Sequence, residues 1–172
     1  MITFQEFCSR LDESSLSRIK SKSDKGGMAV ISGRRGDKSA KENRARAKQL
    51  DRDIKGKGLP GATKVSGRWD EKDDKTGKTS KVKERSHVVT SGKKGKRAFK
   101  KAVKSLGKKY GQDAVLTQTK KTGTVSPTRK GGLGKDESGK NVRRIKAGTF
   151  KPGQTSPEGD TQIKKKTFAY KK

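Results

Sequence analysis

The chain has 172 residues, of which 25% are hydrophobic and 38% charged, and its 47 basic and 18 acidic residues leave a formal net charge of +29. This composition allows one modest domain with flexible segments, because so polar a chain cannot bury apolar surface along its whole length. It excludes a transmembrane helix, since no apolar run approaches the roughly 18 residues needed, and the single Cys8 excludes an internal disulfide.

Residues 1–13 differ from the rest of the chain. They hold one arginine and three acidic residues, a formal charge of −2, and two of the five phenylalanines. Phe4, Phe7 and Leu11 are spaced so that a helix would place them on one face. The pattern is typical of a short targeting peptide, and also of an amphipathic helix that docks on the body of the protein.

A small domain is predicted over residues 28–117, after a linker at 14–27 that is rich in Ser, Lys and Gly. The apolar run 28–31 predicts a strand. Apolar residues spaced by three and four between Ala40 and Ile54 predict a helix. Later patterns predict strands at 64–69, 85–90 and 114–117, with a helix from Phe99 to Tyr110 and a long exposed loop at 70–82.

The order β-α-β-β-α-β predicts an α+β fold, a small ferredoxin-like two-layer sandwich with an N-terminal helix. Residues 118–172 are basic and rich in Gly and Lys, which predicts a largely disordered tail. The alternation at 167–170 indicates a possible edge strand within that tail.

Several short motifs in this region resemble a family of small bacterial and phage domains of unknown function. The resemblance covers roughly residues 28–117 and implies an α/β fold with two helices, but it brings no assigned chemistry. The motifs are Asn43-Arg44, Leu50, Gly58-Leu59-Pro60, Val65-x-Gly67-x-Trp69, Glu84-Arg85-Ser86 with Val88-Val89, and Lys109 to Val115.

Residues that could carry chemistry are few. One His and one Cys cannot build a Cys/His zinc site. Glu84-Arg85-Ser86 is the most enzyme-like cluster, because an Arg can hold a phosphate and a Glu can act as a base. The alternative is a hairpin strand whose Glu and Arg pair with neighbours. His87 is interpreted as an ordinary strand residue.

Two weaker motifs favour ordinary loop structure. Thr76-Gly77-Lys78-Thr79 resembles the end of a phosphate-binding loop, but Lys72 stands where the motif requires Gly. The acidic cluster at 70–74 lacks the regular ligand spacing of a metal site. We therefore predict no catalytic residue, no metal, no cofactor and no small-molecule substrate.

Basic clusters recur through the domain and the tail. Lys and Arg on flexible stems suit contact with phosphates without reading of bases, so they predict nucleic-acid binding that weakens steeply with salt. The predicted contacts are Arg34, Arg35, Lys93, Lys94, Lys96, Arg97, Lys100, Lys101, Lys108, Lys109, Lys120, Lys121, Arg143, Arg144, Lys164, Lys165 and Lys166.

The opening Met1-Ile-Thr-Phe-Gln-Glu-Phe7 resembles the capsid-targeting peptide of internal head proteins in T-even-type tailed phages. The resemblance implies targeting through Phe4, Phe7 and Leu11, with cleavage between Glu13 and Ser14. It also implies a prohead scaffold and a maturation protease as partners. The implied location is the interior of the phage head, and the host cytoplasm during infection. The leading hypothesis is thus a virion protein, not an enzyme, packaged with the genome and bound to nucleic acid, with DNA favoured.

Two alternatives stay open from the sequence. One is a cytoplasmic phage or bacterial module that acts on RNA, the ribosome or polymerase, with residues 1–13 retained as a docking helix. The other is a small enzyme acting on nucleic acid, centred on Glu84 and Arg85.

Overall fold

The computed structural model describes residues 16–72, 79–119, 122–135, 137–153, 159–163 and 166–171. Residues 16–25 are helical and are called α1. The other helices are α2 (Ala40–Gly56) and α3 (Lys96–Lys109). The strands are β1 (Met28–Ile31), β2 (Thr63–Lys72), β3 (Thr79–Thr90), β4 (Ala114–Thr119), β5 (Thr122–Pro127), β6 (Ile145–Pro152), β7 (Gly159–Ile163) and β8 (Lys166–Lys171).

The first four strands form an antiparallel sheet in the order β4-β1-β3-β2. Together with α2 and α3 they follow the predicted β-α-β-β-α-β chain order, and the prediction of an α+β fold with a ferredoxin-like unit is confirmed. Strands β2 and β3 run further than predicted, to Lys72 and from Thr79, so part of the predicted 70–82 loop is paired strand.

The C-terminal part of the chain closes the sheet into a barrel. β5 pairs with β4, β6 with β5 and β8, and β7 with both β8 and β2, which gives the closed order β1-β3-β2-β7-β8-β6-β5-β4. The prediction of a largely disordered tail is therefore wrong. Its strands are rich in polar residues, and the open edges of β2 and β4 supply the backbone partners that composition could not reveal. β8, predicted as an edge strand, lies between two partners.

Helices α2 and α3 pack on the outer face of the first four strands. Ser39 caps α2, with its hydroxyl accepting from the Glu42 amide and the Glu42 carboxylate accepting from the Ser39 amide. The shared core is apolar and fully enclosed, which confirms the predicted spacing of the two helices. It consists of Ala29, Ile31, Leu50, Ile54, Leu59, Val89, Phe99, Val103, Leu106, Tyr110 and Val115.

Helix α1 closes one end of the barrel. Leu16 and Ile19 are buried against the inward-facing side chains of Met28, Val65 and Val88. The predicted linker at 14–27 is therefore wrong for the described residues, because the apolar spacing of Leu16 and Ile19 gives a helix one buried face. No described helix is long and apolar enough to span a membrane.

Candidate functional site

A cavity of about 1350 Å³ lies inside the barrel, at the end opposite α1. It exists because alternate residues of each strand point inward. The inward-facing wall is built from Val30 and Ser32, Gly67, Glu84 and Ser86, Ala114 and Leu116, and Val125. The mouth is formed by Arg34, Arg35, Gly36, Asp37, Lys108, Gly111, Gln112, Asp113, Thr128 and Arg129.

Glu84 places a carboxylate on the wall of this cavity. It is half-buried and stands directly opposite Gly67 in the β2–β3 ladder. Opposed residues of an antiparallel pair point to the same face, so Gly67 presents no side chain beside Glu84. β2 therefore places no side chain directly opposite the carboxylate.

The other two carboxylates that line the cavity lie at its mouth. Asp37 accepts a hydrogen bond from Arg35 Nε at 2.8 Å, and Asp113 accepts one from Arg129 Nε at 2.7 Å. The guanidinium of Arg35 holds the pKa of Asp37 below its usual value. Both acids are exposed and paired with arginine, so Glu84 is the carboxylate on the inner wall.

Hydrogen bonds tie the mouth of the cavity together. The Ser32 amide donates to Gln112 Oε1 at 3.1 Å, and the Ser32 hydroxyl donates to the Arg85 carbonyl at 3.3 Å. The Thr128 hydroxyl donates to the carbonyl oxygens of Gln112 and Asp113. These bonds link β1, β3, the turn after α3 and the end of β5, and they fix the outline of the opening.

The predicted basic clusters are spread over the surface. Arg34, Arg35 and Lys108 lie at the mouth of the cavity. Lys109 pairs with Asp53 at 2.7 Å, on the far side of α3 from the cavity. The remaining described clusters lie outside the cavity. Lys93, Lys96, Arg97, Lys100, Lys101, Arg143 and Arg144 are exposed, and Lys94 is half-buried.

Other predicted residues lie outside the described part of the chain. These are the targeting and processing residues Phe4, Phe7, Leu11, Glu13 and Ser14, and the basic residues Lys120, Lys121, Lys164 and Lys165. The side chain of Lys166 is not described either. Targeting and cleavage therefore stay predictions.

Sequence reasoning noted Glu84-Arg85-Ser86 as an enzyme-like cluster but predicted no catalytic residue, and it did not place Gly67 or Gln112 at the cavity. Gly67 was noted only within a motif, and Gln112 only within a turn. The strict alternation along β3, with Glu84 and Ser86 inward and Arg85 outward, was the available signal. Among the described residues, no group of three or more His, Cys, Asp or Glu could hold a metal ion.

Residues 29–171 match the S-adenosylmethionine lyase family. No curated protein matches the chain. The match overturns the leading hypothesis of a packaged virion protein that binds nucleic acid, and with it the prediction that the protein is not an enzyme. The alternative of a small enzyme agrees better with the match, which does not bear on the choice of Glu84 and Arg85 as its centre. The prediction of nucleic-acid binding rested on net charge, which describes the electrostatic field around the whole protein and does not report a carboxylate inside a barrel. From β1 to β8, this chain belongs to the S-adenosylmethionine lyase family.

Proposed function

We propose that this protein cleaves S-adenosylmethionine at a carbon–sulfur bond of its sulfonium, inside the barrel cavity. The observation that carries the proposal is the family match over residues 29–171, which include every strand of the barrel. The cavity of about 1350 Å³ is large enough for a ligand of this size. Its wall combines aliphatic side chains with a carboxylate, as a cationic substrate with an apolar surface requires.

The charge of the substrate explains why an inward carboxylate matters. S-adenosylmethionine carries a sulfonium, an ammonium and a carboxylate, so it is a net cation. A chain of net charge +29 repels such a molecule at long range. The carboxylate of Glu84, in a cavity that Val30 and Leu116 also line, counters this repulsion where the surroundings screen charge less than water does.

The reaction itself restricts what Glu84 can do. When a carbon–sulfur bond breaks, its electron pair goes to sulfur, and the sulfonium becomes a neutral thioether. A carboxylate beside the sulfonium would stabilise the ground state more than the transition state, because that positive charge disappears. We therefore assign Glu84 to the substrate ammonium, whose charge persists throughout the reaction, so that Glu84 orients the substrate without slowing the chemistry.

A lyase reaction adds no water to the fragments. If the bond to the substrate's γ-carbon breaks, one product is methylthioadenosine. The four-carbon fragment is then completed from within, either by its own carboxylate bonding to the γ-carbon or by loss of a proton from the β-carbon. The first route keeps every atom of the substrate in the two products, and the second also releases one proton to solvent.

The test is product analysis after incubation of the purified protein with S-adenosylmethionine in isotopically labelled water. We expect methylthioadenosine and a four-carbon fragment that contains no oxygen from the solvent, and proton NMR then distinguishes a ring from an alkene. A labelled, hydrated fragment would show hydrolysis, and unchanged substrate would refute the proposed activity.

A further inference from the structure

A second cavity, of about 540 Å³, lies between α2 and the outer face of β2 and β3. We call it the basic groove. The strands contribute mainly outward-facing residues that alternate with the cavity wall, and α2 contributes three positions on one helical face, Arg44, Ala47 and Lys48. Two residues, Arg34 and Ser86, border both the groove and the barrel cavity. The complete lining is Arg34, Arg44, Ala47, Lys48, Lys64, Val65, Ser66, Lys83, Arg85, Ser86 and His87.

The groove concentrates positive charge. Six of its lining residues are Lys or Arg, and no carboxylate is among them. Lys64 lies 3.6 Å from Asp51, which stands beside the groove. The other five, Arg34, Arg44, Lys48, Lys83 and Arg85, form no ion pair with any residue whose side chain the structure describes. Like charges that line one groove repel one another, and a bound anion relieves that repulsion.

A buried polar group also lines the groove. The side chain of His87 is 4% exposed, and neither ring nitrogen forms a hydrogen bond with a described residue. Its Nε2 lies 3.3 Å from Asp51 Oδ1 without forming a hydrogen bond. Burial lowers the pKa of His87, and Lys64 lowers it further against the opposing effect of Asp51. A neutral imidazole with unused nitrogens can donate a hydrogen bond to a ligand oxygen.

We propose that the basic groove binds a ligand with adjacent phosphate groups, at a site separate from the barrel cavity. Guanidinium groups match phosphate oxygens in pairs, and Arg44 and Arg85 bring two of them from opposite walls, α2 and β3. Lys48 and Lys83 add point charges, and His87 and Ser66 add uncharged polar groups. A groove of this volume takes a few phosphates, so a compact polyphosphate fills it better than a single ion does.

The experiment is calorimetric titration of the full-length protein with inorganic tripolyphosphate at fixed ionic strength. The variant Arg44→Gln/Arg85→Gln removes one cation from each wall. We expect its affinity to fall by about 10- to 100-fold, as loss of charge-assisted hydrogen bonds predicts. ATP and a short oligodeoxynucleotide, compared at equal phosphate concentration, identify whether a nucleotide or a strand carries the phosphates.

A matched control removes the same charge elsewhere. Lys100→Gln/Lys104→Gln changes two exposed residues of α3 that do not line the groove, and we expect it to bind tripolyphosphate as the unaltered protein does. Equal weakening in both double variants would mean that net charge alone attracts the anion, and the proposal would fail. Absence of tripolyphosphate binding by the unaltered protein would overturn it as well.

Turnover of S-adenosylmethionine in the same variants tests the separation of the two sites. Arg44→Gln/Arg85→Gln should retain the cleavage rate of the unaltered protein, since neither side chain lines the barrel cavity. Loss of turnover in a variant that remains folded would show that groove and cavity act as one site. Because binding is measured directly, failure of the proposed lyase activity would leave the calorimetric result interpretable.

Discussion

The two faces of β3 carry opposite chemistry. Inward, Glu84 lines the barrel cavity, while outward, Lys83, Arg85 and His87 line the basic groove, and Ser86 borders both. Neighbouring residues thus belong to different sites, because successive side chains of a strand point to opposite faces. A motif of adjacent residues, such as Glu84-Arg85-Ser86, does not define one site when it lies in a strand with cavities on both sides.

The comparison also explains how a protein of net charge +29 can accept a cationic substrate. Among the described residues, basic side chains lie on the exposed surface, in the basic groove and at the mouth of the cavity, and none is on its inner wall. The inner wall presents the carboxylate of Glu84 instead. Closing the sheet into a barrel separates the two environments, and changes to the closing strands should affect the inner site first.

Ala169→Pro should open the barrel and so impair the inner cavity while leaving the basic groove intact. Residue 169 lies in β8, between β6 and β7, where proline cannot donate to the ladder. We expect cleavage of S-adenosylmethionine to fall by about 100-fold or more as the closed population is lost. Tripolyphosphate binding in the groove should persist. Ala169→Ser, which keeps the backbone donor, is the control, and normal turnover in the proline variant would show that closure is not needed.

Gly67→Val should affect the inner site without opening the barrel. Its side chain would occupy the space beside Glu84, which stands opposite in the ladder. We expect KM to rise by about tenfold, the cost of crowding a packed site, with a smaller change in kcat. Ser66→Ala alters the neighbouring outward-facing position and should leave both constants unchanged. An unaltered KM in Gly67→Val would place the substrate elsewhere.

Tyr110→Phe tests the outer core, which supports the fold and does not touch the inner cavity. The Tyr110 hydroxyl donates to Asp53 Oδ2 at 2.7 Å. Loss of this bond to a charged group should lower the free energy of unfolding by about 2 kcal/mol, measured by urea denaturation. The cleavage rate of the folded variant should not change. A large fall in rate with unchanged stability would assign Tyr110 to the chemistry instead.

The smallest expected effect is a dependence of stability on pH that the same pair produces. Burial, with the nearby Asp53 carboxylate, raises the pKa of Tyr110 above its ordinary value of 10.0, so the folded state holds the phenolic proton more tightly than the unfolded state does. The resulting stability is fully present below pH 10.0 and decreases as the pH rises above that value. Urea midpoints measured across this range should fall less steeply for Tyr110→Phe than for the unaltered protein. Equal slopes of urea midpoint against pH for the two proteins would contradict the assignment of this pH dependence to Tyr110.

The sequence predicted the parts of the fold that have regular apolar spacing. Phe99, Val103 and Leu106 recur on one face of α3, and Leu50 and Ile54 on one face of α2, so both helices were predictable. β8 was predicted, as a possible edge strand at 167–170. Strands β5 to β7 were not, because their Gly-, Lys- and Thr-rich sequences lack apolar alternation and the barrel is closed by pairing of β7 with β2, a strand distant in the chain. Such long-range pairing leaves little local pattern.

The site was predictable in part. Glu84-Arg85-Ser86 was noted because an Arg can hold a phosphate and a Glu can act as a base, but no catalytic residue was predicted. The register that sets Gly67 opposite Glu84, and the turn that brings Gln112 to Ser32, depend on tertiary structure. The predicted function was wrong because it was inferred from the net charge of the chain. The cavity is instead defined by side chains that point into the barrel, and net charge does not report on them.

The most direct measurement compares Glu84→Gln and Arg85→Gln, two neutralising changes at neighbouring positions of β3, in a steady-state assay of S-adenosylmethionine cleavage. If the inner face binds the substrate, Glu84→Gln should lose about 10- to 100-fold in kcat/KM, mainly through KM, because the charge-assisted bond to the substrate ammonium is lost, and Arg85→Gln should keep the rate of the unaltered protein. Equal loss in both variants, or full activity in Glu84→Gln, would contradict the assignment of the active site to the interior of the barrel.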